Sequence, residues 1–296
     1  LKKRRRFYIV DVFAEEKYAG NQLAVFRDSE DLSEREMQKF AREMNFSESS
    51  FILCEEERDG GYDVRIFTPE TEIPFAGHPT LGTAFIIQQE IKKKKNETIY
   101  LNLRVGKIPV TLSYRKEEVE FLWMKQKQPV FGRCFEPGKI AHILSLELED
   151  IDDRFPIQEV STGLPFIIVP LRSLRSVKRV KILRKEFMEL IKNTEAKDML
   201  VFSPETYHKE NDLNVRVFVE YEGVPEDPAT GSANGCLAAY LVRYRYFRKP
   251  KVEVRVEQGY EIGRPSLLFL KAEEKDEGID VSVGGRVILV ARGEFV

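Results

Sequence analysis

A tetrapeptide that occurs twice constrains this chain more than any other feature. Val64-Arg65-Ile66-Phe67 returns 151 residues later as Val215-Arg216-Val217-Phe218. Shortly after each copy comes a turn rich in Gly, Pro and Thr. The first is Phe75-Ala76-Gly77-His78-Pro79-Thr80-Leu81-Gly82-Thr83, and the second is Asp227-Pro228-Ala229-Thr230-Gly231-Ser232-Ala233. A looser echo precedes both, with Gly20-Asn21-Gln22-Leu23-Ala24-Val25 set against Gly163-Leu164-Pro165-Phe166-Ile167-Ile168. One short match can be chance, but matches in the same order point to duplication. A chain of 296 residues has room for two domains of about 150 residues each.

Each turn opens a helix of unusual composition. Leu81, Ala84, Phe85, Ile86 and Ile87 cover nearly every face of the first. Cys236, Leu237, Ala238, Ala239, Tyr240, Leu241 and Val242 do the same for the second. A helix that is apolar all round is buried all round. Short apolar runs bounded by turn residues surround both helices and read as strands. In the first half they lie at 7–13, 23–26, 51–54, 64–67, 99–103, 108–112 and 119–123. In the second they lie at 157–160, 166–169, 199–202, 215–219, 252–256, 267–270, 279–283 and 287–290. Ser33-Glu34-Arg35-Glu36 is a capping box for a helix reaching Asn45, with Met37, Phe40, Ala41 and Met44 as its apolar face. Further helices are expected at 140–146 and 184–191, and residues 129–135 read as a linker. The expectation is an α/β (α+β) chain of two similar halves, 1–128 and 129–285, with strands curling round a central helix in each and a cleft between them. Strand 286–296 is a candidate to complete the first half.

Composition removes several function classes. Lys plus Arg is 47 and Asp plus Glu is 49, a formal net charge of −2, without the basic excess of a nucleic-acid or membrane-surface binder. Cys54, Cys134 and Cys236 are scattered and odd in number, which argues for a reducing cytosol over a disulfide framework or a zinc site. His78, His142 and His208 offer no metal-ligand spacing. No apolar run approaches the ~18 residues of a membrane span. The basic residues 2–6 lead into an apolar run that Asp11 interrupts; they read as a solvated terminus, not a signal peptide. The lysines at 92–95 read as a solvated helix end.

Both turns deliver the N-terminus of a buried helix, whose first N–H groups lack partners and carry partial positive charge. Such ends suit a small carboxylate. Gly77, Gly82 and Gly231 would let a ligand approach the backbone. Gly77 and Gly82-Thr83 have the spacing of a phosphate loop but lack its lysine, so nucleotide binding is not supported. The candidate acids and bases are Glu48, His78 and Asp227. Glu48 lies between a helix and a strand, a place where carboxylates are usually just solvated. His78 begins a helix, where the dipole favours a neutral imidazole that donates a hydrogen bond. Asp227 precedes Pro228, where turn-making or N-capping is the simple reading. Periodicity alone does not choose among them.

At these residues the chain resembles the phenazine-biosynthesis isomerase, or PhzF-like, family. The matching stretches are Asp11-Val12-Phe13 with Gly20 to Val25, Asn45-Phe46-Ser47-Glu48-Ser49, Glu72 to Gly82, Asp227 to Ala233, and Gln258-Gly259-Tyr260-Glu261-Ile262-Gly263-Arg264-Pro265-Ser266. They span almost the whole chain. The resemblance implies a diaminopimelate-epimerase-like fold of two pseudo-symmetric halves, each a curved, mostly antiparallel or mixed sheet round a central helix. It implies a cofactor-free site and a homodimer, beside the cytoplasmic setting and lack of a metal read from the cysteines and histidines and the small carboxylate-bearing substrate read from the two helix ends. It implies Glu48 as catalytic acid/base, His78 and Asp227 beside it, and Gly77, Gly231 and Ser232 as substrate-binding positions. The family's reaction moves a proton between ring carbons, which asks for a Glu48 desolvated enough to hold a proton near neutrality. The epimerase cousins use a cysteine from each half. Here the matching turns carry His78 and Ser232, and Cys236 lies a turn deeper, so two-thiol chemistry is disfavoured. A carboxylate-based epimerase and a non-catalytic binder are the competing readings. Tyr18, Phe46 and Phe75 are candidates to stack on a ring, against the simpler reading that they pack a core.

Overall fold

The computed structural model describes residues 4–92, 94–222 and 224–296. The chain divides into two compact units, Leu1–Met124 with Gly284–Val296, and Lys125–Val283. In the first unit, β1 (Arg5–Val12) and β2 (Asn21–Phe26) form an antiparallel hairpin. Helix α1 (Glu34–Met44) then returns the chain to β3 (Glu48–Ile52), which runs parallel to β2. The Ser33 capping box is formed at its start, and Asn45 ends it with a left-handed φ of 53°. Next come β4 (Tyr62–Phe67), antiparallel to β3, and the two-residue β5 (Glu72–Ile73) folded back on β4. After α2 (Gly77–Ile86) and one π turn (Ile87–Ile91), β6 (Thr98–Leu103) lies parallel to β4. Strands β7 (Gly106–Arg115) and β8 (Glu118–Lys125) continue antiparallel. The C-terminal strand, Val287–Phe295, pairs antiparallel with β1.

All ten residues of α2 are buried. The helix touches β1, β2, β3, β6, β7 and the C-terminal strand, so the sheet wraps it. That enclosure is what its all-round apolar composition requires. Gly82 permits the closest approach: a Cβ there would lie 2.6 Å from the Leu23 side chain, 3.0 Å from Val12 and 3.1 Å from Val10. The other face of the sheet carries an aromatic layer under Met37 and Ala41 of α1, with Phe26 stacked on Phe51 at 4.8 Å and Phe67 edge-on to Phe51 at 5.4 Å.

The second unit repeats this plan. It comprises β9 (Val130–Phe135), α3 (Pro137–Ile143), β10 (Ile157–Ser161), β11 (Pro165–Pro170), α4 (Leu174–Arg179) and α5 (Arg184–Ile191). It continues with β12 (Asp198–Ser203), β13 (Leu213–Val219), β14 (Val224–Asp227), α6 (Gly231–Arg243), β15 (Lys251–Gln258), β16 (Ser266–Lys275) and β17 (Gly278–Gly285). Across the first sheet the order is C-terminal strand, β1, β2, β3, β4, β6, β7. Across the second it is β9, β10, β11, β12, β13, β15, β16. In both, the pairings run antiparallel, antiparallel, parallel, antiparallel, parallel, antiparallel. Helix α6 is buried from Gly231 to Val242, and α3, α4 and α5 cover the outer face as α1 does in the first unit.

The repeated tetrapeptide has a repeated job. Arg65 on β4 forks onto Glu72 of β5, with contacts of 2.8 and 2.5 Å. Arg216 on β13 forks onto Glu226 of β14, at 3.0 and 2.7 Å. Each guanidinium also lies over the phenylalanine two residues on, Phe67 or Phe218. Bidentate geometry of this kind fixes orientation as well as charge. The pair thus pins the short strand that leads into each central helix.

Several local expectations need correction. Residues 130–135 are not a linker but strand β9, paired with β10. Arg5 is not part of a solvated tail: its buried side chain donates to the Asp28 carbonyl at 2.7 Å and pairs with Asp31. Lys2 and Lys3 lie outside the described residues, as does Lys93 of the 92–95 run. Lys92 is the C-cap of the central helix, with an extended backbone, so the lysines do start at a helix end. Helix α4 and the short strands β5 and β14 add to the elements that the sequence pattern leads one to expect. Among the described residues no helix is long and apolar enough to cross a membrane.

Candidate active site

In the first unit the candidate residues meet at the start of α2. Asn45 closes α1 in the left-handed region, and within three residues the chain enters β3 at Glu48, opposite Leu23. The Glu48 Oε2 atom lies 3.4 Å from His78 Nε2, with side-chain exposures of 17 % and 6 %. His78 is the second residue of α2. The end it sits on has Ala76 as N-cap, no side-chain cap and no acid in its first turn. The Thr80 hydroxyl, one turn into the helix, donates back to the Ala76 carbonyl at 2.7 Å and caps none of the first-turn N–H groups. The backbone donors of this end are therefore left for something other than the protein's own side chains.

Burial pushes the His78 imidazole down to about 3, opposed only by a hydrogen bond to the Gln22 backbone. The imidazole is neutral at ordinary pH. A backbone contact that favours the protonated ring is one to a carbonyl, so the ring donates to Gln22. Nε2 has no hydrogen-bond partner, which assigns that donation to Nδ1. The tautomer follows: Nδ1 carries the proton, and the Nε2 lone pair faces Glu48. A carboxylic acid can donate to that lone pair, whereas a carboxylate cannot. Ser50, two residues along β3 and so on the same face as Glu48, holds a buried hydroxyl without a partner.

In the second unit Asp227 ends β14, and Thr230 is the N-cap of α6. Thr230 is a good capping residue, yet its side chain makes no cap hydrogen bond and the first turn holds no acid. Its hydroxyl donates to Asp227 Oδ2 at 2.5 Å instead. Gly231 and Ser232, both buried, begin the helix. Cys236 is fully buried, its thiol pushed up to about 12 by burial and bonded to the Leu164 carbonyl at 3.4 Å. It is a small core residue, not a nucleophile.

The structure thus brings Glu48, His78 and Gly77 together in one unit, and Asp227, Gly231 and Ser232 together in the other. Gly82 does not belong with them, since its missing Cβ serves helix–sheet packing. Phe46 packs against the aromatic layer, while Tyr18 is exposed, its backbone N–H donating to Asp11. His208 sits elsewhere in its unit, its backbone N–H bonded to Glu257. Among the described residues no three His, Cys, Asp or Glu side chains converge as a metal site. Thr230 and Gln258 were missed as partners of Asp227; the signal available was that both fall in the motif stretches.

Comparison with known proteins places these features in context. The model of a family described as phenazine biosynthesis-like protein matches residues 10–293. The trans-2,3-dihydro-3-hydroxyanthranilate isomerase of Pseudomonas aeruginosa is 35 % identical over 292 residues, 97 % of this chain and 98 % of that protein. A Bacillus anthracis phenazine biosynthesis protein of known structure superposes with a TM-score of 0.90 at 28 % identity, covering 99 % of both chains. A probable proline racemase from Agrobacterium radiobacter shares the fold at a TM-score of 0.65 and 10 % identity, over 99 % of this chain and 93 % of that one.

Proposed function

The chain belongs to the phenazine biosynthesis-like (PhzC-PhzF) family and is an isomerase, and we propose that it moves a proton within a small carboxylate-bearing substrate by way of Glu48. The observation that carries this reading is a partly buried Glu48 set against a buried, neutral His78 at an uncapped helix end. The Glu48 carboxylate takes a proton from a substrate carbon. The C–H electron pair enters the adjacent unsaturated system. The new carboxylic acid is held by the Nε2 lone pair of His78, and the same acid then protonates a second carbon. Bonds balance, and no proton is consumed. The proposed substrate-binding positions are Gly77 in the first unit and Gly231 and Ser232 in the second, where Asp227 is the proposed further catalytic group. Preorganised backbone donors of this type are worth most where water is excluded.

The relative's substrate, trans-2,3-dihydro-3-hydroxyanthranilate, is the compound to try first. In D2O the wild type should convert it, with the outcome followed by absorbance and by mass. Glu48→Gln should lower kcat by at least about 10³-fold, within the range for loss of an acid/base group, while the fold and ligand affinity persist. Full turnover by folded Glu48→Gln would sink the proton-transfer reading. No turnover by folded wild type would remove this substrate. The reading carries with it a cytoplasmic homodimer, and light scattering should return about twice the 34.4 kDa chain mass.

A further inference from the structure

We propose that Gln258 is a positioning residue, which through Thr230 sets the direction of the hydrogen bond on Asp227 and keeps the start of α6 uncapped. The inference rests on the role given to Asp227 above. Gln258 is the last residue of β15, and its side chain is fully buried. Its Nε2 donates to the Asp227 carbonyl at 2.8 Å and to the Thr230 hydroxyl at 3.0 Å. Its Oε1 accepts from Thr230 N–H at 3.2 Å and from Asn234 Nδ2 at 2.8 Å. One amide therefore ties both ends of the turn that runs from Asp227 to the first residues of the helix.

The directions are forced. Nε2 can only donate, so the Thr230 oxygen accepts from it and turns its own proton elsewhere. That proton goes to Asp227 Oδ2 at 2.5 Å. The chain of donors runs Gln258 to Thr230 to Asp227 and cannot reverse. Asn234, also fully buried, fixes which end of the Gln258 amide is which, because its Nδ2 demands an acceptor. The cost to the helix is its own cap: a threonine hydroxyl held by Gln258 and Asp227 is not available to the first-turn N–H groups. Those groups stay open toward a carboxylate.

The backbone is shaped around the same residue. Gly259 follows at φ +79°, where a Cβ would lie 2.6 Å from the Pro228 carbonyl oxygen and 2.4 Å from that of Arg264. Among the described residues of the first unit there is no counterpart. Asp63 pairs with Asn102 as Asn214 pairs with Glu257, so the position matching Gln258 is Leu103, which forms no such network. The relay thus belongs to one half of a duplicated chain, the half that carries Asp227.

The test uses Thr230→Val, Thr230→Ser and Gln258→Leu in the full chain, with kcat and KM for trans-2,3-dihydro-3-hydroxyanthranilate, melting temperature, and crystal structures. Thr230→Val is isosteric and should fold; it should raise KM about tenfold and lower kcat about tenfold, as misplaced binding and reacting groups do. Thr230→Ser keeps the hydroxyl and should restore both to within about twofold. In crystals of Gln258→Leu, the Thr230 hydroxyl should swing from Asp227 to cap the helix. Wild-type constants in Thr230→Val, or an unmoved Thr230 in Gln258→Leu, would overturn the proposal. A wild type inactive on this substrate defeats the substrate reading, and the crystallographic arm then decides the relay by itself.

Discussion

Burial holds the His78 imidazole neutral, pushing it down to about 3, whereas a free histidine takes up its proton near pH 6.5. The unfolded chain therefore binds this proton first as the pH falls. The stabilising effect of a neutral His78 is complete above pH 6.5 and is lost progressively between about 6.5 and 3, at up to about 1.4 kcal/mol per pH unit. Melting curves of wild type and His78→Gln should diverge across that window, with the wild type losing stability more steeply and the variant flatter. Parallel curves would mean that the imidazole titrates normally. At this scale the sequence offers Glu48, His78 and Asp227 as candidates, since they stand in specific motifs. It does not show what aims them. The acceptor of the His78 proton is a carbonyl on β2, and the amide that directs Thr230 is 28 residues away on β15. Contacts across that separation leave no local pattern.

Elements whose signal is local were legible, and those whose signal is tertiary were not. The two central helices announce their burial by being apolar on every face, and α1 announces its start by a capping box that the structure forms. Strand β9 reads as a linker because most of its residues are exposed, Val130 by 66 %, so no period-2 pattern exists to read. Strand β5 is two residues long and held by the Arg65–Glu72 fork, an interaction that propensity does not encode. Gly82 shows how packing overrides propensity. Gly82→Ala should gain about 1 kcal/mol of helix preference. The new Cβ would fall 2.6 Å from Leu23 and about 3 Å from Val12 and Val10, all fully buried. Overpacking of that kind costs about 1–3 kcal/mol. The expected net result is a lower denaturant midpoint with an unchanged slope, measured by urea unfolding. A higher midpoint would show that the helix can back away from β1 and β2.

For the molecule as a whole, duplication is the organising fact, visible in sequence as a repeated tetrapeptide and in structure as two sheets with the same series of pairings. The place of β9 is taken in the first unit by the C-terminal strand, which pairs with β1 and sets Phe295 against Phe7 and Phe40 at 5.2 and 5.1 Å. A chain ending at residue 285 should lose amide protection throughout 5–124 while 125–283 stays protected, as hydrogen exchange with mass spectrometry would show. Retained protection in 5–124 would mean that the strand is an accessory.

That strand also reverses the order of manufacture. A ribosome makes the strands of the first unit early and then makes the whole second unit, Lys125–Val283, before the strand that closes the first. The half begun first is the half finished last. Until residues 287–295 emerge, β1 offers an unpaired edge to any chaperone or neighbouring chain, and Glu48 and His78 wait on an incomplete sheet. A translation product stalled short of that point would carry both residues but not the structure that makes them a pair.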